Sequence, residues 1–160
     1  MAIFGLNNAL IPIVAFNMGC KKTERVKKAI FLSGLYSALI GLIGTAVLQL
    51  CPAAIMNAFN PSDSMLEMGV TALRILSLAF VFGGITVMIS YALQGFSRGI
   101  SSLIISASRQ VLVLLPVAWI LGKKTGINGI WWSFLIAESV VMIAALFFIK
   151  KVEKKEYGFQ

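Results

Sequence analysis

Two charged residues stand where charge is costly. Arg109 falls about eight residues into an apolar stretch that opens near Ile100, and Glu138 about nine residues into another that opens near Gly129. In a helix rising about 1.5 Å per residue, that puts Arg109 roughly 12 Å below its own starting end, and Glu138 close to mid-membrane. An arginine so placed can hold an anionic headgroup or ligand, snorkel to the interface, or serve as half of an ion pair. A carboxylate so placed can carry a proton or touch substrate, or it can neutralise that arginine. The two stretches start on opposite faces, so the two depths overlap near the middle, and both the paired and the functional readings stand.

Other polar groups recur in the same apolar context. Asn7, Asn8 and Asn17 flank Pro12, which reads as an interrupted helix with free backbone groups. Such helices line transport cavities, and interhelical hydrogen bonding is the plainer alternative. Arg74 is expected to snorkel, and Gln94 and Arg98 to serve a loop. Gly34 with Ala38, and Ser37, Gly41 and Thr45 at four-residue spacing, are close-packing faces. Gly83 and Gly84 mark a bend or a close approach, and Met88 fills a core or lines a greasy pocket.

Enzymatic chemistry finds no footing. The chain has no histidine, so His-based triads and histidine metal sites are excluded, and no metal site is expected. Cys20 and Cys51 are far apart and form no C-x-x-C motif. No Walker loop, G-x-S-x-G or pair of carboxylates on one helix face is present. The run Lys21-Lys22-Thr23-Glu24-Arg25-Val26-Lys27-Lys28 lacks the aromatic interleaving of a nucleic-acid site and reads as a loop attracted to anionic lipid.

What must position these groups follows from composition. Of 160 residues 59% are hydrophobic and 12% charged, and mean hydropathy is +0.91. Soluble domains carry about 25% charged residues, so a membrane-embedded all-α chain is the class that remains. Five segments approach the roughly 20 apolar residues that cross a bilayer. They lie at about 1–19, 29–51, 65–94, 100–121 and 129–149, followed by a basic tail at 150–160, and they read as one transmembrane domain over residues 1–160. The first lacks a basic n-region and is taken as membrane helix rather than signal peptide. Residues 53–59 suggest an interfacial helical turn. Asn60-Pro61-Ser62-Asp63 is a turn, Ser64 to Glu67 fits a capping box, and residues 122–129 form a Gly-rich turn.

Basic residues set orientation. Alternate connections hold ten Lys and Arg (Lys21, Lys22, Arg25, Lys27, Lys28, then Arg98, then Lys150, Lys151, Lys154 and Lys155) against two, Lys123 and Lys124. The C-terminus is therefore expected in the cytoplasm and the N-terminus outside. Trp119, Trp131 and Trp132 would share the outer interface. Five crossings, with a first helix poor at inserting alone, suggest a C-terminal piece of something longer, or a partner that supplies the rest.

Residues 5–19, GLNNALIPIVAFNMG, run directly into the basic loop and resemble the eighth helix of the multidrug and toxic compound extrusion (MATE) family. Residues 92–99 resemble that family's inner loop after its tenth helix. Ser108-Arg109-Gln110 leading to Leu115-Pro116 resembles its eleventh helix, and residues 129–138 its twelfth. The resemblance implies twelve helices in two six-helix lobes around a cavity. It implies export of cationic, amphipathic drugs in exchange for sodium ions or protons, with no cofactor beyond the coupling ion. This chain would supply most of the second lobe, and its partners would be membrane lipid, such drugs and the first lobe. The resemblance nominates Asn7, Asn8, Asn17, Met88 and Tyr91 as cavity residues. Sodium-coupled members carry an acid within the tenth helix, and residues 75–93 have none. The proton-linked Asp of the first helix is not in this chain either, so Glu138 is a poor substitute for a coupling residue. Two further readings are a lipid-linked oligosaccharide flippase, for which Arg74 and Arg109 would face the cavity, and a non-transporting membrane scaffold.

Overall fold

The computed structural model describes residues 2–157, and among them every long element is a helix. Helix α1 spans Ala2–Gly19, α2 Thr23–Leu50, α3 Pro52–Asn57, α4 Asp63–Gly95, α5 Gly99–Ala107, α6 Leu115–Thr125 and α7 Ile127–Tyr157, with a π-helical stretch, Ser108–Leu114, joining α5 to α6. Four continuous helices are long and apolar enough to cross a membrane, at Thr23–Leu50, Asp63–Gly95, Gly99–Thr125 and Ile127–Glu156, and Ile3–Gly19 is a shorter apolar helix. Side chains such as Phe31, Leu50, Leu112 and Phe147 are exposed on the outside of the bundle, as lipid-facing groups must be.

Helices outrun the apolar runs that announced them. The second starts at Thr23 rather than near Ala29, because Glu24, Arg25, Lys27 and Lys28 are good helix formers whose charged ends need only water. Glu24 and Lys27 pair there at 2.8 Å. The basic loop thus contracts to Cys20, Lys21 and Lys22, with Lys21 in the left-handed region at φ 56°. Helix α7 likewise continues through the basic tail to Tyr157. Helix α4 opens at Asp63, with Ser62 as its extended N-cap and no side-chain capping bond, so the capping box expected from Ser64 to Glu67 is not formed. The interfacial turn is α3, started by Pro52, whose missing N–H costs nothing in the first turn.

Between the fourth and fifth crossings the Gly-rich turn shrinks to one residue. Gly126 sits at φ 68°, ψ −150°, a region essentially reserved for glycine, and it folds α6 back onto α7 as a tight hairpin.

Helix α4 is the axis of the bundle, packed by α1, α2, α3, α5 and α7. Its approach to α2 is set by small residues. A Cβ on Gly41 would stand 3.1 Å from the Phe80 carbonyl oxygen, and one on Gly84 would stand 3.1 Å from that of Ser37. Hydroxyl and amide groups stitch the same seam: Thr45 donates to the Ser77 carbonyl at 2.7 Å, and Gln49 to the Arg74 carbonyl at 2.8 Å. The dry core gathers at the basic end, around Leu10, Val14, Val26, Ile89, Leu93, Phe96, Ala145 and Val152. There Arg98 and Glu156 close the bundle with a 2.7 Å ion pair.

Candidate functional site

The site is built on three polar stripes. On α4, Gly83, Thr86, Ser90 and Gln94 recur every three or four residues, so they share one face, with Val87 and Tyr91 beside them. On the adjoining span Ser102, Ser106 and Arg109 do the same. On α1, Phe4 and Asn8 are one turn apart. Two of the stripes touch where Gln94 donates to the Ser102 hydroxyl at 3.1 Å.

Prolines aim the stripes. Pro116 has no N–H to give, so the ladder before it slips by one residue, and the Leu115 N–H reaches back five places to the Gln110 carbonyl. The resulting π turn holds Arg109. In α1, Pro12 cannot donate to the Asn8 carbonyl, so the carbonyl of this cleft-lining residue lacks its helical partner.

Arg109 meets Glu138 of α7 through one hydrogen bond, from Nη1 to Oε1 at 3.2 Å, with the two side chains 24% and 19% exposed. The pairing is incomplete. Nε of Arg109 and Oε2 of Glu138 are both sealed from solvent without a partner among the described residues. Gly83 faces the carboxylate: a Cβ there would lie 3.4 Å from Glu138 Cδ, an ordinary contact distance.

A cleft opens on either side of this pair. One, of about 310 Å³, runs between α1, α4 and α5 and is lined by Phe4, Asn8, Ser90, Tyr91, Gln94 and Ser106, with Arg109 as its charge. The other, of about 630 Å³, is mostly apolar. Its walls include Ile40, Leu76, Phe80 and Phe134, and both Arg109 and Glu138 reach it. Phe4 and Val87 line both, so the clefts adjoin across an apolar sill. Volumes of this size suit small organic ligands.

The residues nominated from sequence separate. Asn8 and Tyr91 line the polar cleft beside Arg109. Asn7 is fully buried between α1 and α2, where it donates to the Ser37 hydroxyl at 3.3 Å. Asn17 donates to its own helix at the Ile13 carbonyl, 2.8 Å away. Met88 lies in the core on another face of α4, against Gly34 and beside a separate groove. Arg74 is exposed and lines neither cleft, so the two facing arginines of the flippase reading are not found. Gln94, expected to serve a loop, hydrogen-bonds Ser90 in its own helix and Ser102 in α5 and lines the cleft. Thr86, Ser90 and Ser106 went unread, although the three-and-four spacing of small polar residues on α4 was a usable signal.

A family model described as MatE matches residues 1–120. Multidrug export protein MepA of Staphylococcus haemolyticus is 25% identical over 97% of this chain and 34% of its own length. A FAD transporter of Shewanella oneidensis is 24% identical over 95% of this chain and 34% of its own. The chain thus spans about a third of the length of the curated relatives it matches. Among solved structures, an inward-facing and an outward-facing multidrug resistance MATE family transporter each superpose with a TM-score of 0.91, at 22% and 21% identity, covering 96% and 99% of this chain and 36% of each of theirs. The MATE multidrug transporter DinF-BH gives 0.87 at 26% identity, over 99% of this chain and 35% of that one. With a model matching three quarters of its length, the chain is a multi-pass membrane protein that belongs to the MatE family.

Proposed function

We propose that this chain forms most of one lobe of a multidrug exporter, acting with the remaining two thirds of such a transporter. The transporter moves amphipathic cations outward in exchange for a sodium ion or a proton. The observation that carries the reading is the convergence of two clefts on Arg109 and Glu138, midway along their helices. Glu138 is the one carboxylate lining either cleft among the described residues, and it faces apolar walls that suit the greasy part of a cationic drug. The cationic group of the drug then meets Glu138, and exchange follows from the different affinities of drug and coupling ion for the two states of the transporter. The equal superposition on inward- and outward-facing structures supports a lobe that rocks as a unit. Ten basic residues against two favour a cytoplasmic C-terminus.

Ethidium efflux tests the proposal in cells making this chain alone or together with the complementary portion of a related exporter. No efflux is expected from the chain alone. With its complement, efflux is expected, and Glu138→Gln should reduce it about tenfold. Robust efflux from the chain alone, or an undiminished Glu138→Gln variant, would overturn the reading.

A further inference from the structure

Glu138 occupies one corner of the Arg109 guanidinium, at Nη1. By its covalent geometry the guanidinium has a second usable edge, formed by Nε and Nη2, which suits the two oxygens of a carboxylate or phosphate. Nε there is buried without an acceptor, and Nη2 has no partner among the described residues. The polar cleft beside it contains no acid. Its hydroxyls divide by role. Thr86 and Ser90 spend their protons on the carbonyls of Phe82 and Thr86 in their own helix. Asn8, Tyr91 and Ser106 make no hydrogen bond among the described residues and keep donors free. A cleft with one arginine, free donors and no carboxylate is chemically matched to an anion.

We infer that the 310 Å³ cleft is an oxyanion site, in which Arg109 with Asn8, Tyr91 and Ser106 receives the phosphate or carboxylate of an amphipathic ligand. Ligand binding there draws the sealed Nε of Arg109 toward the cleft together with Nη2. The apolar part of the ligand passes the Phe4 and Val87 sill into the larger cleft. This goes beyond cation export and does not depend on it. The oxyanion is either a lipid headgroup or a soluble amphiphile.

Isothermal titration of the chain in phosphatidylcholine nanodiscs, with octyl phosphate as probe and octyl glucoside as neutral control, tests the site. Octyl phosphate should bind at least about tenfold more tightly. Arg109→Gln/Glu138→Gln, which leaves no unpaired charge, should abolish the difference. Ser106→Asp, which leaves the pair intact, should weaken octyl phosphate about tenfold while octyltrimethylammonium binding persists. Repeating the titration in phosphatidylglycerol nanodiscs separates the sources: competition by the headgroup names lipid, and an unchanged affinity names a soluble ligand. Octyl phosphate binding no tighter than octyl glucoside, or indifferent to both variants, would overturn the site. Ethidium efflux is read through Glu138→Gln and octyl phosphate binding through Ser106→Asp, so failure of one reading is distinguishable from failure of the other.

Discussion

Arg109 and Glu138, 29 residues apart in sequence, share a single 3.2 Å hydrogen bond and leave one buried polar atom each without a partner among the described residues. A half-buried pair of this kind is costly to break from one side and cheap to remove whole. We expect Arg109→Gln or Glu138→Gln alone to cost about 1–3 kcal/mol, and the double variant to recover most of that. Thermal unfolding of the four proteins in the same detergent gives the coupling. Additive losses would show that the pair does not act as a unit.

Pro116 keeps Arg109 in register. Pro116→Ala restores a donor, and the π turn should relax to α, rotating everything before it by about 100°. The variant should be no less stable than the parent, yet the Arg109–Glu138 coupling in a Pro116→Ala background should fall close to zero. An unchanged coupling would mean that the proline does not aim the arginine.

The α2–α4 seam leaves no space at Gly41, where an added methyl would press on the backbone at Phe80 and Val81. Gly41→Ala should destabilise by about 1–3 kcal/mol. Gly19→Ala, which meets nothing within 4 Å, is the control and should change little. Equal melting temperatures for the two variants would contradict the close approach.

Cys20 and Cys51 are exposed, unpaired and at opposite ends of α2. A membrane-impermeant maleimide should label Cys51 in intact cells and Cys20 only after permeabilisation. Labelling of Cys20 in intact cells, with Cys51 protected, would reverse the orientation that the basic residues favour.

The sequence was most informative where one physical cause dominates. Apolar runs at 29–51, 65–94, 100–121 and 129–149 each mark one long helix, because hydrocarbon admits little else. They understated α2 and α7, because helical hydrogen bonding continues past the lipid wherever the side chains are content in water. The expectation that Arg109 and Glu138 overlap in depth followed from helix rise alone. Which side chains face the clefts was harder to read. Asn7 and Asn8 are neighbours in sequence, yet one helical step of about 100° puts the first against Ser37 and the second in the cleft. The slipped ladder at 108–114 depends on how one proline is accommodated, which no composition or spacing specifies.

The one-residue hinge at Gly126 bears on how the protein is made. Arg109 leaves the ribosome well before its counter-ion, and each alone would face a penalty of about 2.5–3.5 kcal/mol at the centre of a translocating helix. A hairpin closed so tightly lets both arms leave the insertion machinery together, with the cation already cancelled. Lengthening the hinge is expected to separate the two arrivals in time and lower the insertion of this hairpin, through a glycine that touches neither charge.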